Sequence, residues 1–455
     1  MQRQSFVRPA AFAGALVAAL CFFGSLAAQA PSTTPAPAAP PEVKIDPGAT
    51  AWMLASSALV LFMTPGLALF YAGMVRSKNV LGTMMHSIFC MVIVSLQWVV
   101  IGYSLSFGGS VKGLIGNLQH LFLDGVAHDK AFPGYPIPHM LHMAYQMMFA
   151  IITPALIAGA FAERVKFSAY ALFTLLWSTF VYDPLAHWVW GGGILFNGPG
   201  TWLTNTVGVG ALDFAGGTVV HISSGVSALI FCLYIGKRRG YPAQAILPNS
   251  LVITVLGAGI LWFGWFGFNG GSSLNADGIG VSAFTVTHIA AAAAALSWAA
   301  VEWLHRGKAS ILGVATGIVA GLVCITPASG FVEPMPALIM GLAVSPICYL
   351  FVAKLKSKFG YDDSLDAFGV HGVGGTVGAL LTGVCCSTDL IAANPPGMKQ
   401  LTAQAIAVAI TIVFAAVVTL ILVIVVDKTI GIRPSDEDEL AGLDISQHGE
   451  VGYNS

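Results

Sequence analysis

The chain has 455 residues, 56% hydrophobic and only 9% charged, where an ordinary soluble domain carries about 25% charge. Such a chain cannot cover its own core in water, so its solvent is lipid. A net charge of −1 excludes the basic footprint of a nucleic-acid binder, and seven cysteines in this length exclude a disulfide scaffold.

Residues 1–30 read as a secretory signal peptide. Arg3 and Arg8 precede an apolar run from Ala10 to Leu26, and small residues permit cleavage after Ala27 or Ala30. An uncleaved first helix is the rival reading. Residues 31–48 are a Pro/Ala-rich linker with nothing to pack. Apolar stretches long enough to cross a bilayer then recur at about 51–74, 81–107, 138–161, 167–187, 213–236, 247–268, 281–304, 310–327, 335–354, 366–386 and 402–427. The expected fold class is therefore an all-α polytopic membrane protein with eleven transmembrane helices. They form one membrane domain over 49–430, followed by a tail over 431–455. Arg76, Lys78, Arg164, Lys166, Arg238, Arg239 and most other cations fall on one side of the loops. Only Lys44, Lys112, Lys130 and Lys399 fall on the other. The first side is cytoplasmic by the positive-inside rule. The mature N-terminus is then outside and the C-terminus inside, a pairing that requires an odd number of spans.

The fifth and tenth stretches echo each other. Asp213 stands eight residues before His221, Asp363 eight before His371, and both segments carry Gly-Gly-Thr-Val. Five spans per half is odd, so the halves are inverted: a 5+5 repeat plus a final helix, with its site near the midplane. His221 and His371 lie mid-span among glycines that permit close helix approach. A matched pair of intramembrane histidines points to function over two satisfied core residues. Metal binding needs more ligands, and Asp213 is about 12 Å from His221 along an ideal helix; no metal or other cofactor is expected. Asp213 reads as a helix cap, and Asp363 and Asp366 as caps at the start of span ten.

Aromatic residues form a second cluster: Trp188 and Trp190 beside Gly191-Gly192-Gly193, Tyr145 and Phe149 on one helix face, and Phe268 shortly before Ser272. They read either as an interfacial belt or as a cage for a small cation. His86, His142, His187 and His288 read as structural, and the loop around 108–137 as solvated. The acidic tail reads as a solvated arm or a protein-docking one.

These motifs together resemble the Amt/Mep/Rh family of ammonium transporters, from about residue 50 to the end. The resemblance rests on Asp213 to His221, Ala162-Glu163-Arg164, Trp190 to Gly193, Gly264 to Asn269, Thr326 to Gly330 and Phe368 to Gly372. The tail from Gly442 to Asn454 resembles bacterial members. The resemblance implies ammonium uptake across the plasma membrane, not an enzyme. Trp190, Phe149 and Ser272 match an outer recruitment site, Phe149 and Phe268 stacked rings at the outer mouth, and His221 and His371 twin pore histidines. Asp213 matches an aspartate needed for conduction. It further implies a homotrimer, methylammonium as an analogue substrate, a role in nitrogen assimilation, and a PII-type regulatory protein at the cytoplasmic face. Tyr145 stands where close bacterial relatives carry Phe, which implies a slightly more polar outer gate. The twin histidines and tail favour an Amt-type protein; an Rh-type gas channel, an ammonium sensor and an intramembrane metalloenzyme are the alternatives.

Overall fold

The computed structural model describes residues 43–392 and 394–453. The expected signal peptide, and the linker as far as residue 42, lie outside the described residues. The end of that linker is already helix: the Asp46 carboxylate accepts the Ala49 amide at 2.7 Å, and Pro47 supplies a preset φ at the first turn. Capping chemistry, not apolarity, moves the boundary back from residue 51.

Helices cover all eleven apolar stretches: α1 Pro47–Met74, α2 Ser77–Phe107, α3 His139–Phe161, α4 167–189, α5 Gly217–Ile235, α6 Leu251–Ser273, α7 Gly278–Arg306, α8 Ile311–Ile325, α9 Pro334–Phe359, α10 Phe368–Cys385 and α11 Met398–Ile430. Among the described residues, nine are long and apolar enough to cross a membrane. The two that are not are α8, with 15 residues, and α4, which carries Asp183, Pro184 and His187. α4 tolerates those groups because it is buried within the protein. Gln97 donates to the Asp183 carboxylate at 2.6 Å, and His187 is bonded at both nitrogens, to the Ser106 carbonyl and the Ser110 hydroxyl. The chain is a multi-pass membrane protein.

Packing sets the site. α1 lies along α6, α7 against α8 and α9, and α5 crosses α10, which in turn rests on α11. At the α5–α10 crossing Gly225 meets Gly372 so closely that a Cβ on Gly225 would stand 2.1 Å from the Gly372 nitrogen. Only glycine permits this approach, and it brings the two histidine-bearing helices into backbone contact.

The protein has two faces. One carries the 108–137 and 190–216 segments and is called the vestibule face. The other carries the short basic loops and the C-terminal segment and is called the tail face. There Glu163 pairs with Arg76 at 2.7 Å, Asp362 with Arg238 at 2.9 Å and with Arg164 at 3.5 Å. Burial raises the Glu163 and Asp362 carboxyls, but Arg76 and Arg238 outweigh it at Glu163, and Arg238 and Arg164 at Asp362, holding both below the usual range. Groups lowered in the folded state stabilise it above their unfolded pKa, and that contribution is lost as pH falls through the folded value.

The acidic tail docks on this face, on basic residues that include Arg239. Glu439 pairs with Arg433 at 2.5 Å and Arg239 at 3.5 Å, and Asp436 pairs with Arg239. The Lys78 ammonium donates to the Glu439 carbonyl at 2.9 Å. The Asp444 carboxylate accepts the Leu81 and Gly82 amides at 3.0 and 2.8 Å, capping α2 from the far end of the chain, while Asn79 accepts the Leu443 amide at 2.9 Å. The tail thus docks on residues 76–82, 166–167 and 235–239. In the basic 354–358 loop, Lys356 pairs with Asp366. Because Asp444 replaces a local cap, Asp444→Ala should cost about 1 kcal/mol and release the tail. Limited proteolysis reads this as faster cleavage within 436–453 than in the parent.

Candidate functional site

Three cavities follow one another from the vestibule face toward the tail face. The first, about 550 Å³, is lined by Phe149, Trp190, Ser272, Asp213 and Gln146 among others. The second, about 10 Å³, is lined by His221, His371, Trp265, Phe268 and aliphatic side chains. The third, about 40 Å³, runs from His371 past Thr316 to Asp366. Phe149 walls the first cavity and Phe268 the second, and their rings lie 4.2 Å apart, so the pair separates a roomy chamber from a constricted one.

The structure brings Trp190, Phe149 and Ser272 together on the first cavity. Trp190 stands edge-on to Phe149 at 6.0 Å, anchored by its indole N–H to the Asp213 carbonyl at 2.9 Å. Ser272 donates to the Phe268 carbonyl at 2.8 Å. Tyr145 turns its hydroxyl toward α6 beside this cavity. It is fully buried, and its O–H lies 2.9 Å from both the Gly267 and Phe268 carbonyls. The hydroxyl serves the backbone that carries the Phe268 ring and also lies 3.2 Å from the Ser272 hydroxyl.

Asp213 is the cap the sequence called for. Its carboxylate accepts the amides of Gly216, Gly217 and Thr218 at 2.9, 2.5 and 2.8 Å, and the Thr218 hydroxyl as well. Gly216 makes the wrap possible with φ of +108°. Asp363 does the same for α10, accepting the Ala367 and Phe368 amides at 3.0 and 2.8 Å. Asp366 is not a cap; its carboxylate goes to Lys356.

Both histidines sit in π-helical turns, Gly217–Ile222 and Phe368–Gly372, immediately beyond these caps. A π turn widens the helix by one residue and recurs at functional sites. Their rings are 5.3 Å apart and the two Nδ1 atoms 3.3 Å. The Nε2 of His221 is buried and has no hydrogen-bond partner among the described residues. Trp265 was not assigned a role from sequence, although it lies on the Phe268 face of α6 three residues earlier. It stacks on His221 at 5.5 Å and is held by a 2.9 Å bond to Thr326. No cluster of three or more metal-ligating side chains occurs among the described residues. His86 and His288 pack on Tyr170 and Trp262, away from this line of cavities.

Set beside known proteins, residues 51–453 match the profile of the Ammonium Transporter Family. The chain belongs to that family. An ammonium transporter of Aquifex aeolicus is 47% identical over 420 residues, covering 91% of this chain and 95% of that one. Among solved structures, Candida albicans Mep2 is similar with a TM-score of 0.78 at 35% identity, covering 90% of each chain. A structure titled Sensor Amt Protein is similar with a TM-score of 0.81 at 29% identity, covering 88% of this chain and 98% of that one. Bacterial and archaeal relatives at 45–47% identity make this an Amt-type member of the family, a family of transporters and not of enzymes.

Proposed function

We propose that this protein takes up ammonium across the plasma membrane, with the vestibule face outside and the tail face in the cytoplasm. The observation that carries the reading is the unpartnered Nε2 of His221 in a constricted, otherwise apolar cavity beneath the Phe149–Phe268 pair. A buried polar atom without a partner is costly, and a small molecule passing through would supply one.

Ammonium and potassium are alike in size and charge, so an aromatic cage alone separates them poorly. Carrying either bare cation through the second cavity would cost many kcal/mol in lost hydration. Ammonium alone escapes that cost, because desolvation favours its neutral form. In this reading Trp190, Phe149 and Ser272 gather the cation, it sheds a proton near the rings, and ammonia passes the two imidazoles. Each ring nitrogen there can donate or accept. Selectivity comes from deprotonation. Ammonium-evoked current measured beside stopped-flow alkalinisation in proteoliposomes tests the reading. Absence of both would sink it, and their ratio gives the charge moved per molecule.

The cage has its own expected result. Trp190→Leu should weaken half-saturation for ammonium by the size of one cation–π contact, about 1–2 kcal/mol, and reduce discrimination against potassium. Unchanged values of both would remove the cage.

The architecture proposed with this function is eleven spans in two inverted halves plus α11, with the 49–430 membrane domain assembled as a homotrimer. The matched Asp213 and Asp363 caps and the matched π turns support the two halves. The docked tail offers an ordered cytoplasmic surface, suited to a PII-type trimer whose three weak contacts would add to a tight one.

A further inference from the structure

A further group of titratable side chains outside the line just described surrounds His142, on the wall of the first cavity. On α3, His142, Gln146 and Phe149 share one helix face, and all three line that cavity. His142 therefore stands two turns, about 10 Å, above the Phe149 ring. Its imidazole is held rigidly. Phe132 stacks on it at 3.6 Å with 5° between the planes, and Phe107 meets it edge-on at 4.9 Å. The 108–137 segment is thus more than a solvated loop, because its Phe132 fixes this ring.

The hydrogen bonds decide which nitrogen is free. The Tyr103 hydroxyl lies 2.7 Å from His139 Nε2 and 3.0 Å from His142 Nδ1. An O–H donor makes the shorter bond and an N–H donor the longer one. We assign the O–H to His139 and the Nδ1–H of His142 to Tyr103, the tautomer these distances suit. In that assignment the proton of His142 is on Nδ1 and its Nε2 is a bare acceptor. Among the described residues neither that nitrogen nor the Gln146 amide has a hydrogen-bond partner in the protein.

We propose that His142 Nε2 and the Gln146 carbonyl form a waiting site for ammonium and small primary alkylammonium ions, entered before the Trp190–Phe149–Ser272 cage. An N–H cation satisfies both acceptors at once and still keeps donors for water. Potassium has no N–H to give and, as a hard cation, prefers oxygen to an imidazole nitrogen. The site thus begins discrimination before the aromatic rings. This rests on the ammonium-uptake reading above.

The test uses the full-length protein in proteoliposomes, at a fixed pH above the ordinary histidine range, with initial rates taken over a series of ammonium concentrations. His142→Phe keeps a ring for Phe132 to stack on and removes the acceptor. It should raise the half-saturation concentration about three- to tenfold, the scale of one hydrogen bond to a charged group at a hydrated site, with the maximal rate within about twofold. Potassium should inhibit this variant more strongly than the parent. His142→Gln restores an acceptor and should recover most of the loss. Tyr103→Phe frees the tautomer and should fall between. An unchanged half-saturation in His142→Phe overturns the site, as does a rise that His142→Gln fails to reverse, which marks a packing role alone. If the parent itself shows no saturable ammonium transport, the uptake reading fails first and the waiting site falls with it.

Discussion

Replacing either His221 or His371 with Ala is expected to abolish ammonium-selective transport while leaving the fold intact. Every other side chain around the second cavity is aliphatic or aromatic, and the one remaining polar atom there, the Trp265 indole N–H, is already bonded to Thr326. Each imidazole removed takes away a hydrogen bond worth about 1 kcal/mol net and leaves a single ring, without its partner, to serve ammonia in an otherwise apolar passage. The two single losses should not add in the double variant, because the rings share one bond, 3.3 Å between Nδ1 atoms. A selective flux at least tenfold below the parent is the expected reading. Acidic replacements behave differently, since a fixed negative charge favours a hydrated cation; His221→Glu should admit potassium. Parent-like ammonium rates and potassium exclusion in both Ala variants would falsify the conduction role.

Asp213→Ala should be nearly as damaging, through structure and not chemistry. The carboxylate satisfies the amides of Gly216, Gly217, Thr218 and Val219 at the head of α5. Leaving buried amides unpaired costs about 1–3 kcal/mol each, more than a local turn can absorb. The π turn carrying His221 begins at Gly217, and Trp190 is anchored to the Asp213 carbonyl. Loss of the cap therefore disturbs cage and histidine together. Asp213→Asn keeps one carbonyl oxygen and should retain partial transport. The measurement is uptake rate together with hydrogen exchange at residues 216–222. Protected amides and full rate in the Ala variant would remove Asp213 from both roles.

Much of this was legible in the sequence because lipid imposes simple demands. Spans announce themselves by apolar length, and α4 escapes the apolar rule only because protein surrounds it. The histidine pair could be read because Asp213–His221 and Asp363–His371 repeat one spacing on two helices. What could not be read depends on contacts across the chain. A π turn leaves no mark on hydropathy. The Tyr145 hydroxyl is an added polar group whose partners, the Gly267 and Phe268 carbonyls and the Ser272 hydroxyl, lie more than 120 residues away. His142 looked structural because its partner Tyr103 lies 39 residues away. The cap on α2 comes from Asp444, more than 360 residues downstream of the helix start.

The bond between His221 and His371 joins two atoms of one kind, Nδ1 to Nδ1. One ring must donate and the other accept, so the pair always holds opposite tautomers. In the tautomer that leaves His221 Nε2 unprotonated, a proton entering there would push the shared hydrogen across to His371 and expel the hydrogen on the far side. Both rings are then reversed, and His221 presents an N–H where it had offered a lone pair. It refuses the next proton until the rings turn over or the hydrogens retrace their path. A proton path through the pair would then work as an escapement, releasing one charge per reset. A proton current through it would be limited by the turning of imidazoles stacked against Trp265 and Phe268, not by the supply of ammonium.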